Sequence, residues 1–482
     1  MSITLLGLGP GDANLLTRQA WQTLLSATEI YLRTNQHPTV KELPANLTIF
    51  SFDDLYEELE SFEKVYAQIV EKILELGNRP EGVIYAVPGH PMIAETTGPE
   101  IIRRAAQDGI PVQVVEGLSF IEPVFSALGL DPFPKTALID ALELGMSYHP
   151  PFPPDTPALI AQIFSTHIAS EVKLTLMNLF PDEHPVILLH GAGTEGQVIE
   201  ELQLYEIDRS PNIGLLTALY LPPLGDYTSF EALQEITAHL RAPNGCPWDQ
   251  EQTPQTLRPD LMEEAYEVLA AIDADDPIKM QEEFGDLLMM LAMLCQIKSE
   301  QGDFNSAAVI HGISTKLIRR HPHVFGDLDV EGVGAVLKNW EQIKAQERAA
   351  NGEADKGLLD GVSIAIPALS QAQEYQARAA RVGFDWPEIE GVIDKICEEV
   401  DELRIAPDRD SLTAELGDLF FAVVNLARWL KIDAETALRQ ANSRFKDRFV
   451  YIERTVRQQN RDLADLSLEE LDALWDETKK AI

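Results

Sequence analysis

Basic residues are scarce in this chain: 38 Lys and Arg stand against 78 Asp and Glu, a formal net charge of −40 over 482 residues. Such a surface repels a phosphate backbone, which excludes a protein that coats DNA or RNA. A small phosphorylated ligand stays open, provided cations arrive with it. Cysteine is scarcer still. Cys246, Cys295 and Cys397 are odd in number, far apart and form no C-x-x-C. That removes a disulfide framework and a cysteine zinc site. Uncharged apolar runs long enough to span a bilayer are missing, so no membrane partner is expected. MSITLLGLGPGD has no basic stretch ahead of a long apolar one, so no secretory signal is expected either. A reducing cytoplasm is the expected location.

What is present is ordinary globular composition, 45% hydrophobic and 24% charged. The length calls for several domains. The first ~220 residues alternate strand-like runs with helical patterns, which predicts an α/β domain over 1–223. Strands are expected at 3–9, 82–89, 111–117, 185–191 and 213–221, and helices at 15–25, 62–76 and 100–107. The Pro-rich HPPFPPDTP (149–157) is expected to divide this region into two lobes. PPLGDY (222–227) reads as the exit linker. Beyond 228 the period changes from 2 to 3.6, which predicts all-α structure to the end. Breaks are expected at 241–249, 352–361 and 382–387, giving helical domains at 228–350 and 362–482.

The helical half repeats itself. Gly245 and Trp248 precede Glu263, Glu264 and Glu267 (EExxE), then Glu283 and Asp286 (ExxD), then Lys316 and Arg320, then Trp340 and Lys344. About 135 residues later Gly383 and Trp386 precede Glu398, Glu399 and Glu402, then Glu415 and Asp418, then Arg444 and Arg448, then Trp475 and Lys479. Two copies suggest two similar helical units packed together, not a solenoid. On a helix, Glu264 and Glu267 share a face, as do Glu283 and Asp286. Flanking apolar stripes would pack the two helices as an antiparallel hairpin and bring four carboxylates to the rim of a core. Converging carboxylates need cations, and oxygen ligands without His or Cys favour Mg²⁺ or Mn²⁺. A di-iron bundle would show Glu-x-x-His, which is absent here. His321 and His323, two apart across a proline, do not match a helical ligand pair.

EExxE and ExxD, between NGCPWDQEQT and KLIRRHPHVFGD, resemble the MazG family of nucleoside triphosphate pyrophosphohydrolases over 228–482. The resemblance implies an all-α fold, usually a homodimer, that splits NTP or dNTP into NMP and diphosphate with Mg²⁺. By position it implies metal ligands at Glu264, Glu267, Glu283 and Asp286, and at Glu399, Glu402, Glu415 and Asp418. It implies phosphate contacts from Lys316, Arg320, Arg444 and Arg448, and nucleotide enclosure by Trp340, Lys344, Trp475 and Lys479. A spare carboxylate, Glu263 or Glu398, is the candidate base or water-orienting group. QTPQTLRPDL departs from the family pattern at Pro254 and Asp260, and Ala414 stands where the first copy has Glu282.

In the front domain, Gly7, Gly9 and Gly11 allow close backbone approach after the first strand. Their spacing is not the dinucleotide pattern. GLGPGDxxLLT, YAVPGHPMIAE, VVEGLSFIEPVFSALGL and LHGAGTEGQ together resemble the tetrapyrrole methylase family over 1–223. That implies a two-lobed α/β fold binding S-adenosylmethionine, with Gly9, Pro10, Gly11, Asp12, Pro88, Gly89, His90, Gly117 and Ser119 as cofactor-binding candidates. His90 stands where the family often has Asp, and Glu116 where it often has Pro. The alternative function is an S-adenosylmethionine-dependent methyltransferase whose helical half only dimerises or senses nucleotide.

Overall fold

Ile3–Gly7 (β1) is apolar except for Thr4 because it lies inside a sheet covered on both faces. Its pleat sends Ile3 and Leu5 to one buried cluster and Leu6 to another. Glu29–Leu32 (β2), Thr48–Ser51 (β3), Val83–Val87 (β4) and Val112–Val115 (β5) complete a parallel sheet of order β3-β2-β4-β1-β5. Arg18–Ser26 (α1), Asp53–Glu58 (α2), Phe62–Gly77 (α3) and Thr97–Asp108 (α4) supply the crossovers. Thr17 and Ser61 cap α1 and α3 by accepting backbone N–H bonds from Ala20 and Lys64. β1 leads through α1 to one side of the sheet and β4 leads through α4 to the other. Their adjacent ends therefore form a switch point, where α/β sheets place ligands.

Ile121–Leu128 (α5) leads to a second sheet of Ala137–Asp140 (β6), Ala158–Ala161 (β7), Pro185–His190 (β8), Val198–Gln203 (β9) and Thr217–Leu221 (β10). Its order is β6-β7-β10-β8-β9, parallel only between β6 and β7. Ala141–Gly145 (α6) and Thr166–Leu176 (α7) cover one face with a core that includes Phe152, Leu176 and Phe180. The expected lobe boundary at 149–157 is corrected. β6 already belongs to the second sheet, so the prolines lie inside that lobe, between α6 and β7. They mark the return of the chain to a parallel neighbour.

The rest is helical: Phe230–Arg241 (α8), Pro247–Glu251 (α9), Arg258–Asp273 (α10), Pro277–Glu300 (α11), Ser306–Arg320 (α12), Pro322–Phe325 (α13), Gly332–Ala350 (α14), Ala368–Arg381 (α15), Ile389–Ile405 (α16), Arg409–Trp429 (α17), Ala434–Gln458 (α18) and Leu468–Ala481 (α19). The chain forms two compact units, Met1–His239 and Leu240–Ile482, with most of α8 in the first and the helices from α9 onward in the second. α10 packs on α11 and α16 on α17. The turn into α11 is set by Asp276, whose side chain accepts the Ile278 and Lys279 N–H groups, followed by Pro277 at the first helical position. Asp408 caps α17 in the same way through Ser411.

The computed structural model describes residues 1–59, 61–350, 357–459 and 461–481, with side chains there except at 337, 338, 341, 345, 348–350, 480 and 481. The expected break at 352–361 lies largely outside the described residues. Among them no helix is long and apolar enough to cross a membrane.

Candidate metal centres and the front cleft

The tight α10–α11 hairpin brings carboxylates from adjacent helices together. One oxygen from each of Glu264, Glu267 and Glu283 lies within 4.8 Å of the others, and Glu399, Glu402 and Glu415 repeat the arrangement on α16 and α17. Asp286 and Asp418 stand outside these tight groups. Their charges still reach them, since Asp286 raises the pKa of Glu264 and Asp418 that of Glu415, each after desolvation, the largest cause. Glu283 is likewise pushed up, first by desolvation and then by Glu267, Glu282 and Asp286. Burial beside like charges is costly without a counter-charge. Glu399 sharpens the point. It is 3% exposed, and its Oε2 has no hydrogen-bond partner. All-oxygen donors, repulsion between them and an orphaned buried oxygen fit a hard divalent cation.

The two copies differ around these groups. Lys395 pairs with Glu399 at 2.5 Å and with Glu398 at 3.0 Å. Sequence reasoning missed this lysine, although its place four residues before Glu399 was a readable i,i+4 signal. The first copy has Asp260 at that register. Glu263 is exposed and has no ion pair among the described residues.

The basic and aromatic candidates form a second cluster in each copy. In the first, Lys344 Nζ lies 3.6 Å from the Trp340 ring centre and the Arg320 guanidinium 5.6 Å from it. Arg320 is also held by Glu347, and Trp340 Nε1 is buried without a partner. In the second, Arg448 lies 5.5 Å from the Trp475 ring, which packs on Phe445. Lys479 instead pairs with Asp476 at 2.7 Å. Lys316 and Arg444 are exposed. His321 Nδ1 bonds the Leu317 carbonyl at 2.7 Å, a structural role.

In the front unit, the loops after β1, β4 and β5 meet at glycines. A Cβ on Gly7 would stand 2.5 Å from the Gly89 carbonyl oxygen and 2.6 Å from the Gly117 nitrogen, so three backbones converge where only glycine fits. Beside them opens a cleft of about 410 Å³ lined by Pro10, Pro88, Gly89, His90 and Ser119, among others. Gly9 bridges to Gly89, Gly11 packs near Thr194, and Asp12 accepts the Asn14 N–H at 2.8 Å as a helix cap. These three and Gly117 therefore shape the loops without forming the cleft wall.

The cleft holds groups that the sequence did not reveal. Arg33 pairs with the buried Glu95 and donates to the Tyr56 and Tyr66 hydroxyls at 3.1 Å each. Among the described residues Arg33 is the one Lys or Arg in the wall, which also carries Asp53 and Glu57. His37 lines the cleft too. It is buried, neither ring nitrogen meets full hydrogen-bond geometry, and desolvation lowers its pKa to about 4, outweighing the weaker upward pull of the nearby Gly9 backbone.

Residues 2–208 match the Tetrapyrrole (Corrin/Porphyrin) Methylases, and residues 252–325 and 388–450 match the MazG nucleotide pyrophosphohydrolase domain. The chain belongs to the MazG family, in a form with an N-terminal tetrapyrrole methylase domain. It is 41% identical to the uncharacterized protein YabN of Bacillus subtilis (strain 168), over 99% of this chain and 98% of that protein. It is 44% identical to the nucleoside triphosphate pyrophosphohydrolase/pyrophosphatase MazG of Thermotoga maritima, over 52% of this chain and 95% of that protein. The uroporphyrin-III-C-methyltransferase structure from Thermus thermophilus aligns with 46% of this chain and 96% of its own, at 19% identity and a TM-score of 0.36. That likeness is too distant to carry an inference.

Proposed function

We propose that this chain is a Mg²⁺- or Mn²⁺-dependent nucleoside triphosphate pyrophosphohydrolase that converts NTP or dNTP to NMP or dNMP and diphosphate. The observation that carries the reading is the pair of carboxylate groups drawn together on α10–α11 and α16–α17, one with an orphaned buried oxygen. Glu264, Glu267 and Glu283 with Asp286, and Glu399, Glu402 and Glu415 with Asp418, would hold the ions. When bound, these neutralise the polyphosphate and lower the pKa of an attacking water. Glu263 or Glu398 orients that water or takes its proton. Lys316 and Arg320, or Arg444 and Arg448, stabilise the leaving diphosphate. Trp340 and Trp475 offer a ring face to the base, with Lys344 and Lys479 beside it. The working domains are 1–223, 228–350 and 362–482, and the helical copies associate as a homodimer.

Incubation with dATP or GTP and Mg²⁺ is expected to release diphosphate and the monophosphate. Release of orthophosphate, or no turnover, sinks the reading. At least one of Glu267→Ala and Glu402→Ala is expected to abolish turnover with helical circular dichroism intact, and EDTA to abolish it in the parent.

A second reading concerns the front cleft. The glycine convergence beside it supports binding of S-adenosylmethionine there. Methyl transfer would be the chain's main activity if the helical half only dimerises or senses nucleotide. Retention of labelled S-adenosylmethionine without any nucleotide turnover would favour it.

A further inference from the structure

Lys395 is the feature that distinguishes the two carboxylate groups. In the second copy its ammonium reaches Glu399 at 2.5 Å and Glu398 at 3.0 Å. Glu399 is nearly closed off from solvent, its side chain 4% exposed, while Lys395 keeps 36% exposure and so has room to leave. One oxygen of Glu399 is still orphaned, so the lysine satisfies only part of the carboxylate. In the first copy Asp260 occupies the matching position, four residues before Glu264. Lys279 lowers the pKa of Glu283 there, but forms no ion pair with it among the described residues.

We propose that Lys395 is a place-holding cation: it occupies the Glu399 carboxylate when no metal is bound and must be displaced when a divalent ion enters. The inference rests on the carboxylate groups being metal sites, and it makes the two copies unequal. Among the described residues the first group's carboxylates form no ion pair. The second exchanges one cation for another, and therefore binds a divalent ion more weakly. The exchange also gives the lysine a purpose after it leaves. A displaced ammonium beside a cation-filled site is placed to meet an anion, and a polyphosphate is the anion the proposed reaction brings. An i,i+4 pair serving only to staple α16 would move neither quantity.

The test is Mn²⁺ binding to the full chain without nucleotide, followed by the electron paramagnetic resonance signal of free Mn²⁺. Two classes of site are expected in the parent. Glu267→Gln should remove the tighter class and Glu402→Gln the weaker. Removing one positive charge a few ångströms from a doubly charged ion should tighten binding about tenfold at a solvated site. Lys395→Met is therefore expected to tighten the weaker class by about that factor, with Lys395→Arg staying near the parent. The reciprocal change, Asp260→Lys, should weaken the tighter class. The KM for dATP should rise in Lys395→Met even as Mn²⁺ binds more tightly, a pair of opposite shifts.

If Lys395→Met leaves Mn²⁺ affinity within twofold of the parent, or weakens it, the place-holder is wrong while the metal sites stand. If the parent shows no Mn²⁺ binding that Glu267→Gln or Glu402→Gln removes, the metal reading falls and takes this proposal with it.

Discussion

His37 is a buried histidine that the fold keeps neutral. Its pKa falls from the usual 6.5 to about 4 because burial disfavours the imidazolium. Between those values the unfolded chain carries a proton on His37 that the folded chain does not. The stability tied to the neutral ring is therefore complete above pH 6.5 and is lost as pH falls toward 4, by about 2 kcal/mol at pH 5. Urea unfolding of the front unit should show this as a difference between parent and His37→Gln. That difference should shrink by about 2 kcal/mol from pH 7 to pH 5; a constant difference would show that the ring finds a proton-accepting partner. Nothing in the sequence announced this residue. Its setting comes from the walls of a cleft, and the Arg33–Glu95 pair beside it joins positions 62 residues apart. Lys395 was legible in principle, since i,i+4 spacing from Glu399 is local, but an acidic motif does not by itself show which nearby cation it pairs with.

Hairpins of paired helices are the element that turns two short acidic motifs into sites. The i,i+3 spacing within EExxE and ExxD and the short link between the two motifs point to which carboxylates approach each other; the Asp276 and Asp408 caps that set the turns emerge only in the structure. The motifs imply Asp286 and Asp418 as full members, whereas the structure leaves them outside the tight groups. In the front half, strands with continuous apolar runs were visible, whereas β2, β3, β6 and β7 are four residues each and too short to show a period. β9 was hidden for another reason. VIEELQ pairs only with β8, at the edge of its sheet, and carries two glutamates. The hairpins close against their own charge, because Glu264, Glu283 and Glu415 are pushed up by desolvation first and by neighbouring carboxylates next. Neutralising one of those neighbours should relieve the strain. Glu267→Gln is expected to raise the thermal midpoint of the EDTA-treated protein and to reduce the rise that Mg²⁺ gives the parent. A lower metal-free midpoint would mean that Glu267 makes a stabilising contact and the like-charge account is wrong.

The molecule as a whole carries a net charge of −40, yet its helical unit exposes ordered apolar faces. On α17, Leu412, Leu416, Phe420 and Val423 recur at helical spacing along one face, and Phe420 is 56% exposed. On α11, Phe284, Leu288 and Leu291 belong to the apolar stripe expected to pack the hairpin, and that expectation is corrected, because all three are exposed and form a matching stripe in the first copy. A protein this acidic gains solubility from its charge and has no need of such stripes in water. Burying them against a second copy would recover about 25 cal/mol for each Å² of apolar surface removed from solvent. Each face lies on a helix that also carries part of a carboxylate group, so association would help hold those helices in place. The parent is therefore expected to elute in light-scattering chromatography at twice the chain mass of 53.6 kDa. Leu416→Asp with Phe420→Asp should shift it toward a single chain and lower turnover as the hairpins loosen. Leu174→Asp, at an exposed leucine of the front unit, should leave the mass unchanged. A parent that runs as one chain at micromolar concentration would show that these faces stay in water, and that the hairpins hold their acidic groups together unaided.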